Sequence, residues 1–424
     1  RLDLATCAEL LDPASTQRLL DASPSAPGAL RFSHALVREV LLEELTPLRR
    51  AGIHLAVADA MAAVVGGDEH VERDQAEAFA GHLWRAVPLG VGPRAAAALE
   101  RAAETAISRV AYVQAEELLS RAAQLRRVAP PSPDSRHAEL ATLLRLLEVM
   151  QAVTVPQALS MVRQVADGLQ ALHDRDVLHR AMALAEELGL DDVQRKLEWS
   201  EWAALSTAGE LSQARPMADE YLRRWCDDPR PNVCSAAHVL FGVDEWTRGR
   251  IPSAIDHLDQ ALALLEGGPP PADAFEGEYQ LIAHAFSLWS HAARGDLSVE
   301  DALAGYDFLL AVVPPAAVSA TCAFGGAVAA VHARWDELDR LSSRALRADP
   351  AAQFAFFGGQ LLMQQGVVAA ARGRLDEAVA TFHEGRSRYR AVCGRTTIIT
   401  YQSLLAELLG RAGRLSEATE LLAN

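Results

Sequence analysis

Apolar residues along this chain recur at three- and four-residue intervals, and the runs carrying that period are punctuated by one returning phrase. It is a glycine, an apolar residue two positions on, and an alanine five positions on: Gly209, Leu211, Ala214; Gly249, Ile251, Ala254; Gly373, Leu375, Ala378; Gly413, Leu415, Ala418. Gly209 and Gly249 are 40 residues apart, as are Gly373 and Gly413. Two degenerate copies fill the interval between these pairs: Gly295 and Leu297 with a late alanine at Ala302, and Arg334 in the glycine's place beside Trp335. Glycine ends one helix because it takes the left-handed conformation at little cost, and the next helix then runs amphipathically. Leu375, Ala378, Val379 and Phe382 share one helical face, with the small Ala378 admitting a close neighbour. A fixed period in this range predicts helix, tight turn, helix, stacked as a solenoid in which each unit hides its apolar face on the next.

Composition agrees with an all-α chain. Half of the residues are hydrophobic, yet aromatics make up only 6%, and alternating β-branched runs are scarce. At 424 residues the chain exceeds one ordinary core. Its five cysteines, Cys7, Cys226, Cys234, Cys322 and Cys393, are odd in number and without CxxC spacing, which signals neither a disulfide framework nor a zinc site. No apolar run reaches the roughly 20 residues of a membrane span, so a cytoplasmic protein is expected. A net charge of −16 argues against nucleic-acid binding by this chain itself. Arg386, Arg388 and Arg390 point in different directions on a helix and read as a solvated face. The opening at Arg1, without methionine, is expected of a piece of a longer protein.

Three regions follow. Residues 1–65 hold a short helix, a turn-rich stretch from Asp21 to Gly28, an extended piece at Ala29 to Phe32 and two helices, in the manner of a helix-and-wing module. Residues 66–127 form connecting helices, where Val110, Tyr112 and Ala115 repeat the phrase with valine replacing glycine. The prolines at 130, 131 and 133 exclude helix and mark the best internal boundary, with the main repeat region at 135–424.

The stretch Leu30-Arg31-Phe32-Ser33-His34-Ala35-Leu36-Val37-Arg38-Glu39-Val40, continued by Leu48-Arg49-Arg50-Ala51-Gly52-Ile53-His54, resembles the winged-helix segment of the large ATP-binding LuxR-family (maltose-regulator-like) transcription regulators. The resemblance implies a winged-helix-like segment at the N-terminus, then a tetratricopeptide-like superhelix that senses a signal. It also implies an ATPase before the winged helix and a DNA-binding helix-turn-helix after the repeats. Neither is encoded here: there is no GxxxxGK[ST] loop to hold nucleotide phosphates, and too little chain follows Gly413. ATP would therefore belong to the full-length protein, and this chain is expected to need no cofactor. By its position in the phrase, His34 corresponds to a histidine that reaches the nucleotide phosphates in related ATPases, against the plainer role of packing or capping its helix start.

First helices of such repeats line the concave side, which directs attention to Phe241, Trp246, Phe286, Trp289, Phe324, Phe357 and Met363 as candidate contacts for a small-molecule effector or a protein or peptide partner. Each has ordinary inter-helix core as its alternative. Trp199 and Trp202, three residues apart, form either an aromatic ledge or a core stripe. The glycine pairs in Phe324-Gly325-Gly326 and Phe357-Gly358-Gly359 require an offsetting gain, by close helix crossing or by making room for a ligand. His173, Asp174 and Asp176 diverge on a helix and make a poor metal site, and no HExxH, GxSxG or DDxxD motif marks an enzyme. Three readings remain: the sensing arm of an ATP-dependent LuxR-type regulator, docking on its own ATPase with a homo-oligomer as a further expected partner; the same arm of an adenylate-cyclase-linked ATPase; and a plain protein-binding scaffold. The scaffold would keep an open groove, whereas a small-molecule sensor requires a closed pocket.

Overall fold

The computed structural model describes residues 4–22, 30–154, 172–266, 271, 273–314, 317–348, 355–391 and 394–423. The turn-rich stretch after Ala22, Gly267 to Pro270, Pro315, Phe354 and Cys393 lie outside the described residues, as do the side chains of Arg38, His173, Asp174 and Phe356. Two compact units divide the chain, Arg1–Pro130 and Pro131–Asn424.

In the first unit α1 (Leu4–Thr16) precedes a two-stranded antiparallel hairpin, β1 (Leu20–Ala22) and β2 (Leu30–Phe32), in the register Leu20 opposite Phe32. The Ser33 hydroxyl donates to the Arg18 carbonyl at 2.5 Å, and α2 (Ala35–Glu43) follows. This is the small helix-and-wing segment. Next come α3 (Pro47–Val65), α4 (Ala76–Arg85), α5 (Gly92–Ser108) and α6 (Tyr112–Arg127). Thr46 caps α3 through the Arg49 N–H, Pro47 occupies a first-turn position that needs no donor, and left-handed Gly66 ends the helix. Arg94 of α5 bridges Asp59 and Asp68, each at 2.6 Å, and fastens α5 to α3 and the turn beyond it.

The second unit opens with α7 (Pro133–Thr154), α8 (Leu172–Glu187) and α9 (Asp191–Thr207); Pro133 and Asp134, expected outside any helix, form the first turn of α7, where a proline needs no donor. From α9 onward the helices pair: α9 with α10 (Leu211–Trp225), α11 (Pro231–Thr247) with α12 (Ile251–Leu265), α13 (Ala274–Arg294) with α14 (Val299–Val312). The series continues with α15 (Val318–Val331) and α16 (Trp335–Ala348), α17 (Ala355–Ala371) and α18 (Leu375–Ala391), and α19 (Ile398–Arg411) and α20 (Leu415–Ala423). First helices stack on first helices, α11 on α13, α13 on α15, α15 on α17 and α17 on α19, which makes this unit an all-α, tetratricopeptide-like superhelix.

One turn explains the phrase. At Gly209, Gly249, Gly373 and Gly413 φ lies between 74° and 81°. The amide after each glycine returns to a carbonyl five residues back, as in Glu210 to Leu205, Arg250 to Glu245, Arg374 to Ala369 and Arg414 to Leu409, each 2.9 Å. This is the double-bonded C-terminal cap that satisfies carbonyls the helix leaves open. A Cβ on Gly249, Gly373 or Gly413 would meet nothing within 4 Å, so the glycine serves backbone conformation and not space. Ala214, Ala254 and Ala378 are fully buried where the paired helix crosses.

The turn also forms without glycine. Val110 holds φ 62° between α5 and α6, with Ala111 N–H on the Ala106 carbonyl at 2.9 Å. Between α15 and α16 the left-handed residue is Ala333 (φ 54°) and not Arg334, whose N–H makes the returning bond to Ala329 at 2.8 Å. The degenerate copy is therefore Ala333, Trp335, Leu338, one residue earlier than expected from the sequence. Gly189 (φ 66°) makes the same turn from α8 into α9 with no apolar residue two positions on, and so escapes the phrase.

The paired glycines sit at close contacts. A Cβ on Gly325 would lie 3.0 Å from the Tyr306 ring, and one on Gly326 would lie 2.5 Å from the Gln364 amide. Gly359 and Gly385 bring the backbones of α17 and α18 together: a Cβ on Gly359 would stand 2.7 Å from the Tyr389 nitrogen.

Candidate functional site: an aromatic cavity on the inner helices

Inside the second unit lies a cavity of about 130 Å³. Helical spacing assembles its wall. Trp199, Trp202, Ala203 and Ser206 of α9 fall at three- and four-residue steps, as do Val243, Trp246 and Thr247 of α11 and Ile282, Phe286 and Trp289 of α13. Phe324 of α15, and Phe357 and Gln360 of α17, extend the wall. Tyr389, Thr396 and Thr397 complete it from α18 and the connection to α19.

The rings form a continuous series across successive repeats. Trp246 meets Trp289 at 4.3 Å and Phe286 edge-on at 5.1 Å; Phe286 meets Phe324 at 5.2 Å; Phe324 meets Phe357 at 5.8 Å. Trp199 and Trp202 stand edge to face at 5.8 Å and face the same cavity from α9. Offset and edge-on contacts of this kind add to burial and fix ring orientation.

Polar groups behind the rings hold them in place. The Trp202 indole N–H donates to Asp244 Oδ1 at 3.4 Å, and buried Asp244 is itself neutralised by Arg248 at 2.7 Å and Arg215 at 3.2 Å. Gln360 and Gln364 each donate to the Tyr401 hydroxyl, at 3.1 and 2.8 Å, and Gln364 also donates to the Ala323 carbonyl, binding α17 to α15 and α19. Burial pushes the Tyr401 phenol up to about 12 and raises that of Tyr389 against the opposing hydrogen bonds of Thr397 and Thr396, so both stay neutral donors. Among the described residues no charged side chain lines the cavity.

The connection before α19 lines one side of the cavity, which stays partly open. The Arg395 N–H donates to the Thr207 carbonyl at 3.1 Å, and the Arg395 Cβ lies 3.8 Å from where a Cβ on Gly209 would stand. The connection between the last two helix pairs thus rests on the turn of the α9–α10 pair.

The structure brings Trp246, Phe286, Trp289, Phe324 and Phe357 together at this cavity and leaves Phe241 and Met363 elsewhere. Phe241 packs against His257 at 4.6 Å, beneath the Arg215 guanidinium at 4.5 Å, because five residues along a helix turn it well away from Trp246. Met363 is fully buried at the α17–α18 crossing, beside Gly385. His34 is exposed just before α2, where its carbonyl accepts the Val37 N–H at 3.2 Å. Sequence reasoning missed Gln360, one turn beyond Phe357 and legible as such, and Tyr389, Thr396 and Thr397, which no local signal marks. Among the described residues no three of His, Cys, Asp and Glu gather to hold a metal ion, and no helix is long and apolar enough to cross a membrane.

No family model matches the chain. A serine/threonine-protein kinase, plk-1, from Caenorhabditis elegans is 30% identical over 149 residues, 34% of this chain and 20% of that protein, so the chain spans about a fifth of its length. Solved structures with similar arrangements include PlcR from Bacillus thuringiensis in its apo form (14% identical, TM-score 0.38, 58% of this chain and 98% of that one). A Rap protein complexed with competence and sporulation factor is 9% identical with TM-score 0.39, over 88% of this chain and 96% of that one. The yeast Tom70 is 12% identical with TM-score 0.36, over 86% and 75%. All are distant likenesses of arrangement. The repeat assignment rests on the turn geometry and helix stacking described above.

Proposed function

We propose that residues 131–424 form the signal-sensing arm of a larger regulator, and that the signal is held in the aromatic cavity. The observation carrying this reading is the convergence of aromatic rings from α9, α11, α13, α15 and α17 on one pocket. A scaffold that reads an extended partner along its concave face gains from a long groove, whereas here the rings gather at one compact pocket, with Thr396 and Thr397 of a connection that bonds to the α9–α10 turn on its rim. Because the wall draws on residues from Trp199 to Thr397, an occupant touches elements at both ends of the paired array and favours the closed arrangement over any looser one. Such a bias can be transmitted to whatever the arm docks on. The resemblance at residues 30–60 supports an ATPase of the LuxR-type regulators as that docking partner, with ATP and promoter DNA handled by other parts of the full-length protein.

A thermal-shift screen of pathway metabolites, nucleotides and short peptides tests the reading. A ligand at 100 times its Kd adds about 2.7 kcal/mol. A metabolite whose shift disappears in both Trp246→Ala and Phe357→Ala is the expected result. Response only to a partner protein or extended peptide, undiminished in both variants, would move function to an outer surface and leave the scaffold reading.

A further inference from the structure

The lining defines the class of molecule that fits. Resting on the sensor reading above, we infer that the signal is an uncharged compound about the size of one aromatic ring with a single small polar group. Three observations converge on this.

The first is size: about 130 Å³ is close to the roughly 150 Å³ of a dry engineered cavity that admits benzene. The second is charge. Among the described residues the wall contains no Asp, Glu, Lys, Arg or His, and the Asp244 carboxylate behind Trp202 is already committed to Arg248, Arg215 and Trp202. An ionised ligand would surrender its hydration and find no counter-ion. The third is the distribution of polar groups. Aromatic rings make most of the wall, while the few hydroxyl-bearing residues in it include Thr207, Thr396 and Thr397, which flank the backbone bond from the Arg395 N–H to the Thr207 carbonyl. A hydroxyl both donates and accepts, so this end takes an alcohol, phenol, amide or carbonyl of the ligand equally well. A ligand bonded there touches both the α9–α10 turn and the 394–397 connection, which ties occupancy to the Thr207–Arg395 contact.

Calorimetric titration of the intact chain at pH 7 with benzyl alcohol and with benzoate, which match in size and differ in charge, tests the inference. Ile282→Phe, which places a larger side chain in the wall, and Thr397→Val, which keeps shape and removes a hydroxyl, serve as variants. The expected result is binding of benzyl alcohol, binding of benzoate at least about 10-fold weaker, loss of both in Ile282→Phe with the fold intact by circular dichroism, and a several-fold loss for the alcohol in Thr397→Val. Benzoate binding as tightly as the alcohol, and blocked by Ile282→Phe, would overturn the ligand class and leave the cavity as the sensing site. No heat from either probe up to millimolar concentration, with Trp246→Ala no less stable than the parent chain, would overturn the class and the sensor reading together.

Discussion

Replacing Ala333 by glycine is expected to stabilise the second unit. Ala333 sits at φ 54° in a turn whose equivalents at Gly209, Gly249, Gly373 and Gly413 carry no side chain. An L-residue held in the left-handed region costs about 1–2 kcal/mol. Glycine returns about 0.5–1 kcal/mol of that through the greater freedom of the unfolded chain. Ala333 is exposed, so its methyl contributes no burial. The net gain is about 0.5–1 kcal/mol. The reverse change, Gly373→Ala, should cost about the same, since a Cβ there meets nothing within 4 Å and the whole effect is conformational. With a urea slope of about 3 kcal/mol/M, the two midpoints should move in opposite directions by about 0.2–0.3 M. Fluorescence-detected urea unfolding is the assay. Destabilisation by Ala333→Gly, or midpoints that both stay fixed, would refute the claim that one left-handed turn with a returning five-residue bond defines the repeat.

Gly359→Ala should cost about 1–3 kcal/mol and weaken any ligand of the cavity, because the new methyl would press on the Tyr389 backbone; calorimetric unfolding and ligand titration measure the two effects. Gln364→Leu removes donors to Tyr401 and the Ala323 carbonyl and should cost about 1–3 kcal/mol by urea unfolding. A pH effect is expected from His238 and His257, whose ring nitrogens lie 2.9 Å apart across α11 and α12. Burial lowers both from their ordinary 6.5, reinforced at His238 by His257, while Glu245 and Asp256 oppose the shift at His257 and Arg215 adds to it. The folded state therefore prefers them neutral: their contribution is complete above about pH 6.5 and is lost as the pH falls towards the depressed values. His257→Gln should flatten that acid-side slope in urea midpoints taken between pH 7.5 and 5.5, with part of the slope remaining from His284, which desolvation also lowers; an unchanged slope would remove the pair from the account.

How much of this was legible in the sequence depends on whether the controlling interaction is local. The glycine phrase reports a backbone conformation needed within six residues, and it marked four turns of the array directly. It failed where other residues accept the same strain, slipping one position at Ala333, and where the apolar partner is absent, at Gly189. The aromatic candidates divided for a related reason. Phe286 and Trp289 are one helical step apart and share a face, but Phe241 and Trp246 are five apart and cannot, so a list of apolar residues on first helices was bound to mix wall with core. Tyr389 and Thr397 reach the cavity only because the connection between the last two helix pairs rests on the α9–α10 turn, a contact spanning nearly the whole array that nothing in the local pattern encodes.

The central claim, that the inner aromatic cavity is where the protein meets its signal, is tested most directly by fluorine NMR of the chain labelled with 5-fluorotryptophan. Of its seven tryptophans, Trp199, Trp202, Trp246 and Trp289 line the cavity, whereas Trp84, Trp225 and Trp335 do not. Titration with benzyl alcohol is predicted to move the four cavity resonances, assigned by single Trp→Phe variants, and to leave the other three in place. Movement confined to Trp84, Trp225 or Trp335, with the four silent, would contradict it.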